Sequence, residues 1–176
     1  DENNKGKINV PVEGYEKLLD DFSHPEDSVN KKIGFSDSQE KAFKHILSRK
    51  LTLLSGPPAA GKTDFIARSV IAISDYCAKN NEGDNKNLKI LVSAMSHAAI
   101  DNILEKIQSK LLNENYSGNG LKLYKAGRIE SKKLKDANAA LMRNDERKVK
   151  NISNENKWNE AFATRKTMVV GATGWA

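Results

Sequence analysis

Leu51-Thr52-Leu53-Leu54-Ser55-Gly56-Pro57-Pro58-Ala59-Ala60-Gly61-Lys62-Thr63 is the stretch on which the reading of the fold turns. An apolar run leads into a turn of glycine and proline, and Gly56–Thr63 matches the pattern G-x-x-x-x-G-K-[ST]. The flanks give the pattern its meaning. Leu51–Leu54 is predicted as a short buried strand, and a helix is predicted from about Lys62 to Lys79. Phe65, Ile66, Ile73, Tyr76 and Cys77, with Val70 between, form the apolar face of that helix. A strand, a glycine turn and a helix in this order make a phosphate cradle. Glycine lets the backbone turn its N–H groups inward, and the helix N-terminus adds partial positive charge where phosphates would sit. A lysine at position 62 reaches terminal phosphates, and a threonine hydroxyl at position 63 can ligate Mg²⁺. The candidate nucleotide-binding residues are Gly56, Pro57, Pro58, Ala59, Ala60, Gly61, Lys62, Thr63 and Asp64. Lys62 and Thr63 are the candidate catalytic pair, and Thr63 is the candidate metal ligand.

Working outward, Ser36-Asp37-Ser38-Gln39 has the form of a capping box and opens a helix whose face is Ala42, Phe43, Ile46 and Leu47. Downstream of the turn, Leu88–Ser93 is predicted as a second buried strand. A helix from about His97 to Leu112 follows, with Ile100, Ile103, Leu104, Ile107 and Leu111 on one side. Leu121–Tyr124 is a third strand. Residues 129–165 are predicted helical but polar, with Leu134, Ala137, Leu141, Trp158 and Phe162 inward and a break at Asn151–Asn156. Thr167–Val170 is a fourth apolar run. Strands alternating with helices predict βαβ units and a mostly parallel sheet, an α/β fold. Residues 1–34 read as a polar lead-in interrupted by Pro11 and Pro25, with a short helix predicted around Glu13–Phe22.

The chain has 176 residues, the size of one ordinary domain. With 38% hydrophobic residues and a mean hydropathy of −0.64, no apolar run approaches the ~20 residues of a membrane helix. No membrane partner is expected. Residues 1–30 lack the pattern of a signal peptide. A single cysteine, Cys77, excludes a disulfide framework and a multi-cysteine zinc site, so an intracellular location is expected and Cys77 reads as a small buried helix residue. The net charge of +6 is concentrated: residues 121–150 hold ten Lys and Arg against four Asp and Glu, and the remainder of the chain balances. Such an excess is either a footprint for a polyanion, with Lys132, Lys133 and Lys135 as its candidates, or a solvated face.

The motifs together resemble the superfamily 1 helicases, in the Upf1-like and Dna2-like branch. Phe35–Gln39 resembles the Q-motif region and Gly56–Thr63 is similar to motif I. Ile90-Leu91-Val92-Ser93-Ala94-Met95-Ser96-His97-Ala98-Ala99-Ile100-Asp101-Asn102 resembles motif Ia, an apolar strand followed by Ala-Pro-Ser/Thr-Asn/His-x-Ala-Val-Asp-Asn. Leu121–Arg128 and Thr167–Trp175 resemble the next two strands, so the likeness covers about residues 35–127 and 166–176. It implies the P-loop NTPase fold: a RecA-like parallel sheet flanked by helices, here an incomplete motor domain over 35–176 with a helical, basic insertion at about 128–165. It also implies ATP and Mg²⁺ as cofactors and DNA or RNA, single-stranded, as partner.

By the same resemblance Gln39 would contact adenine, Lys62 the phosphates and Thr63 the Mg²⁺, while Ser93, Ala94, Ser96 and His97 would lie near a nucleic-acid backbone. Gln39 can equally be a capping residue, His97 a simple helix-start residue, and Trp175 either a base-stacking or a buried aromatic. Two departures stand out: Ala59-Ala60 replaces Gly-Thr, and Met95 replaces proline. Alanine disfavours the positive φ that glycine accepts.

Phosphoryl transfer also needs a carboxylate at a later strand end to help hold Mg²⁺. None of the apolar runs ends in one. The expectation is therefore the N-terminal piece of the first motor domain of a larger helicase, with the second RecA-like lobe elsewhere in its parent chain and little ATP hydrolysis alone. A different P-loop enzyme, such as a small-molecule kinase, and a non-catalytic nucleic-acid-binding module are the other classes that the residues leave open.

Overall fold

The computed structural model describes residues 34–49, 51–80, 88–113, 121–143, 145–163 and 167–174. The polar lead-in, its helix around Glu13–Phe22 and Trp175 lie outside these, as do the side chains of Tyr76 and Cys77. The chain divides into two compact units, Asp1–Phe65 and Ile66–Ala176. Among the described residues, no helix is long and apolar enough to cross a membrane.

The first unit is built on helix α1 (Asp37–Ser48). Its capping box is formed as expected: the Gln39 N–H donates to Ser36 Oγ (3.4 Å) and the Ser36 N–H to Gln39 Oε1 (3.1 Å). Phe43 and Leu47 are buried on one face, and Phe35 stacks obliquely on both Phe43 and Phe65 with ring centroids 5.2 and 5.4 Å apart. The predicted strand Leu51–Leu54 is a correction. Among the described residues this segment joins no ladder, and Leu51 and Leu53 are 75% and 89% exposed. A strand is stable only where a neighbour accepts its hydrogen bonds, so hydrophobicity alone did not make one here. The leucines instead line a groove with Ser38, His45 and Arg49 of α1 and its C-terminal end. Helix α2 (Lys62–Asn80) then runs on into the second unit.

The second unit holds strand β1 (Lys89–Ala94), helix α3 (His97–Asn113), β2 (Lys122–Ala126), α4 (Lys132–Ala140), β3 (Val149–Ile152), α5 (Glu155–Ala163) and β4 (Met168–Thr173). The sheet order is β1-β4-β2-β3, and every pairing is parallel. Side-chain alternation divides it into two faces. Leu123, Val149 and Val169 pack with Ala67, Val70 and Ile71 of α2 and Ile100, Leu104, Ile107 and Leu111 of α3. Tyr124, Ile152, Met168 and Val170 pack on the other face with Ala161 and Trp158 of α5. A parallel sheet with helices on both faces is the α/β architecture of the P-loop NTPase class expected from the alternation of elements.

Three further expectations change. Residues 128–165 are not simply helical: they carry two nine-residue helices with a strand, β3, that extends the sheet beside β2. Val149 and Ile152 are buried and anchor that strand, although the intervening lysine and asparagine had hidden its apolar pattern. Phe162, expected inward, is 44% exposed and lies over the Lys89 ammonium at 4.6 Å. β1 is an edge strand in which only Val92 is buried, while Leu91 is 69% exposed, so the prediction of a fully buried strand fails at the sheet margin.

Candidate functional site

The candidate phosphate-binding turn lies in the first unit, where α2 begins. Gly61 adopts φ 76° and Ala59 φ 64°, both left-handed, and the Ala60 N–H donates to the Pro57 carbonyl at 3.3 Å to close the turn. Glycine accepts this conformation freely, whereas alanine pays a steric penalty. The turn therefore keeps its curvature in spite of Ala59, and the sequence-level reservation about that residue becomes local strain. α2 opens with Lys62 and Thr63, both exposed. The first N–H groups of a helix have no intrahelical acceptor and are left for an anion. The Lys62 ammonium curls back over the turn, donating to the carbonyls of Gly56 (2.6 Å) and Pro57 (2.7 Å). A positive charge is thus held at the mouth of the turn by weak carbonyl acceptors that an anionic phosphate would outcompete.

Gln39 comes to this turn from α1. Its Nε2 stands 3.4 Å from where a Cβ on Gly61 would lie, while its Oε1 is taken by the capping box. One amide thus serves the cap with its oxygen and faces the turn with its nitrogen, so the capping and site roles weighed from the sequence are compatible. The residues fit a nucleotide's phosphates. For Mg²⁺ they offer one ligand, the Thr63 hydroxyl, and among the described residues no group of three or more His, Cys, Asp or Glu could hold a metal ion.

The motif Ia-like residues form a separate constellation in the second unit. Ser93 and Ser96 are exposed, while Ala94 and His97 are partly buried at the C-terminal end of β1 and the start of α3. Ser96 caps α3: its Oγ accepts from the Ala99 N–H at 3.2 Å. The His97 ring packs against Gly127, whose φ is 83°; a Cβ there would stand 3.1 Å from the imidazole. His97 Nδ1 is buried without a hydrogen-bond partner among the described residues.

The sequence had assigned no role to Asp101, and the structure gives it one. Its side chain and that of Lys125 are fully buried and form an ion pair. Lys125 Nζ also donates to the His97 carbonyl at 3.1 Å. The second Asp101 oxygen accepts the N–H groups of Glu130 (2.7 Å) and Ser131 (2.8 Å). Burial alone would raise the Asp101 pKa, but the hydrogen bonds from Lys125, Ser131 and Glu130 and the Lys125 charge outweigh it and hold the carboxyl below its ordinary range. One carboxylate thus ties together α3, β2 and the segment entering α4. A clue was present: Asp101 follows core-facing Ile100, and Lys125 interrupts the otherwise core-forming Leu123–Ala126. Two opposite charges at core positions point to a pair.

A protein-family model described as AAA domain matches residues 34–170. Among curated proteins, the chain is similar to "Regulator of nonsense transcripts 1 homolog" of Arabidopsis thaliana, 38% identical over 72 residues, 41% of this chain and 5% of that protein. It is similar to "Regulator of nonsense transcripts 1" of Caenorhabditis elegans, 31% identical over 105 residues, 53% of this chain and 9% of that protein. It is also similar to "ATP-dependent helicase upf1" of Schizosaccharomyces pombe, 34% identical over 70 residues, 40% of this chain and 7% of that protein. The aligned part is thus under a tenth of each of these relatives' lengths. No solved structure matches the chain.

Proposed function

The chain belongs to the AAA domain family, in the Upf1-like branch of the superfamily 1 helicases, and from that membership we propose that it is the ATP-binding portion of an ATP-dependent helicase acting on single-stranded DNA or RNA inside the cell. The observation that carries this reading is the turn at the start of α2, with Lys62 poised over it and Gln39 beside it. When bound, ATP would place its phosphates against the N–H groups of residues 59–63, where Lys62 exchanges its carbonyl partners for phosphate oxygens. Thr63 would give its hydroxyl to Mg²⁺, the remaining ligands coming from phosphate and water. The Gln39 amide nitrogen, which faces the turn, would meet the adenine ring. Ser93, Ala94, Ser96 and His97 would flank a nucleic-acid backbone, which the exposed hydroxyl of Ser93 and the helix start at Ser96 support. The second RecA-like lobe would come from the parent protein.

The test is a thermal-shift titration. Ligand that binds only the folded state stabilises it by about 2.7 kcal/mol at a hundredfold excess over Kd. ATP with Mg²⁺ should raise the melting temperature, and Lys62→Ala should abolish that rise. Gln39→Ala should shrink the ATP shift more than the GTP shift. No shift by any nucleotide, with the chain folded, would reject the reading.

A further inference from the structure

The excess of positive charge in residues 121–150 is distributed by the fold in a way its order in the sequence conceals. Four of its cations are matched by carboxylates: Lys125 by Asp101, Arg128 by Glu130, Lys133 by Glu105 and Arg147 by Asp145. Lys148 is turned inward, donating to the Leu141 carbonyl. Lys122 and Lys150 have no ion pair within the described structure, and both open onto one cavity of about 330 Å³ on the α5 side of the sheet. Lys157 of α5 joins them, its Nζ held 3.2 Å from Ser153 Oγ. Tyr124, Asn151, Ile152, Ala161 and a single carboxylate, Glu160, complete the lining.

The register explains the convergence. Lys122 and Tyr124 lie two residues apart on β2 and so share a face, and Tyr124 is paired directly with Lys150 on β3. Burial, with Glu160 nearby, pushes the Tyr124 phenol up, so at neutral pH it remains an uncharged hydroxyl. Ile152 and Ala161 give the cavity an apolar part of low polarisability, where three lysines against the one carboxylate of Glu160 leave a net positive charge that attracts an anion more strongly than on an open surface.

We propose that this groove between β2, β3 and α5 is a docking surface for the phosphate backbone of single-stranded nucleic acid, with Lys122, Lys150 and Lys157 as its contacts. The proposal rests on the nucleic-acid part of the function above and adds a second contact region, distinct from Ser93–His97. The three lysine ammonium groups are point charges that suit phosphate oxygens, so the contacts proposed here are to the backbone and carry no base sequence.

The experiment measures fluorescence anisotropy of labelled oligo-dT and oligo-U, about fifteen nucleotides long, against the whole chain across a chloride series. For single strands, log K falls with log salt by about 0.7 per phosphate neutralised. Lys122→Gln/Lys150→Gln/Lys157→Gln should therefore flatten the slope by about 2. Lys132→Gln/Lys135→Gln on α4 should leave it unchanged. If the triple variant fails to melt like the parent, the exposed single changes Lys150→Glu and Lys157→Glu replace it, each flattening the slope by about 0.7 or more. An unchanged slope in variants that fold, with the parent still binding, overturns the groove and leaves the nucleic-acid reading standing. No binding of either oligonucleotide by the parent overturns both. Displacement by poly-glutamate as effective as by unlabelled oligonucleotide assigns the groove to an acidic protein segment and overturns the proposal.

Discussion

Ala59 occupies left-handed backbone, φ 64°, in the turn that would hold phosphate. Such a conformation costs an L-residue with a Cβ roughly 1–2 kcal/mol, part of which glycine returns through the greater freedom of its unfolded chain. Ala59→Gly should therefore stabilise the protein by about 0.5–1 kcal/mol, seen as a higher urea midpoint with an unchanged slope. Ala60→Gly, at a position without positive φ, should give no gain; equal effects would remove the strain argument. The buried charge of Asp101 makes a stronger prediction. Asp101→Asn strands the Lys125 ammonium and should cost about 3–5 kcal/mol, whereas Asp101→Leu with Lys125→Met should recover most of that loss. The folded pKa of Asp101 lies below its ordinary value of 3.8, so its stabilisation is complete above that value and lost as pH falls through the folded one. The parent should lose stability from about pH 4 downward, and denaturation across pH 2 to 7 should show a shallower acid loss in Asp101→Asn. Parallel pH curves would show that Asp101 does not titrate as argued.

At the level of elements, β4 depends on a glycine. A Cβ on Gly171 would collide with Ile100 Cγ2 and stand 3.0 Å from Leu104 Cδ1, both from α3. Both side chains are fully buried in the core, so Gly171→Ala should destabilise by about 1–3 kcal/mol, measured by chemical denaturation. A neutral result would mean that α3 is free to shift away from the sheet. Helices were legible in the sequence because their apolar residues recur over many turns: α3, expected to run from His97 to Leu112, ends one residue later at Asn113. Short strands were less so. Val149–Ile152 has just two buried residues, separated by Lys150 and Asn151, and its strand identity is conferred by pairing with β2. Leu51–Leu54 shows the converse, an apolar run that no neighbour turns into a strand. Period-two signals of four residues carry too little information to predict their partners.

For the whole molecule, the turn of residues 56–63 and the helix it opens were legible as a shape, since they depend on consecutive residues whose conformations are local. Asp101 and Lys125 were not, because their relation is made by folding, 24 positions apart in sequence. The same distinction bears on catalysis. Phosphoryl transfer requires the phosphate cradle together with a carboxylate that helps hold Mg²⁺ and a group that orients the attacking water. The four strands end in Ala94, Ala126, Ile152 and Thr173, so among the described residues no strand end supplies that carboxylate. On the proposed reading Lys62 and Thr63 would bind and polarise phosphates, but positioning of water and neutralisation of the developing charge would be left to solvent. The chain should therefore bind ATP without turning it over. A phosphate-release assay on the same preparation that gives an ATP thermal shift should show no rate above buffer, with or without single-stranded oligonucleotide. Turnover near the 1 s⁻¹ floor of ordinary enzymes would contradict this. If that turnover were abolished by Lys62→Ala, the missing carboxylate would have to be sought among residues other than the four strand ends.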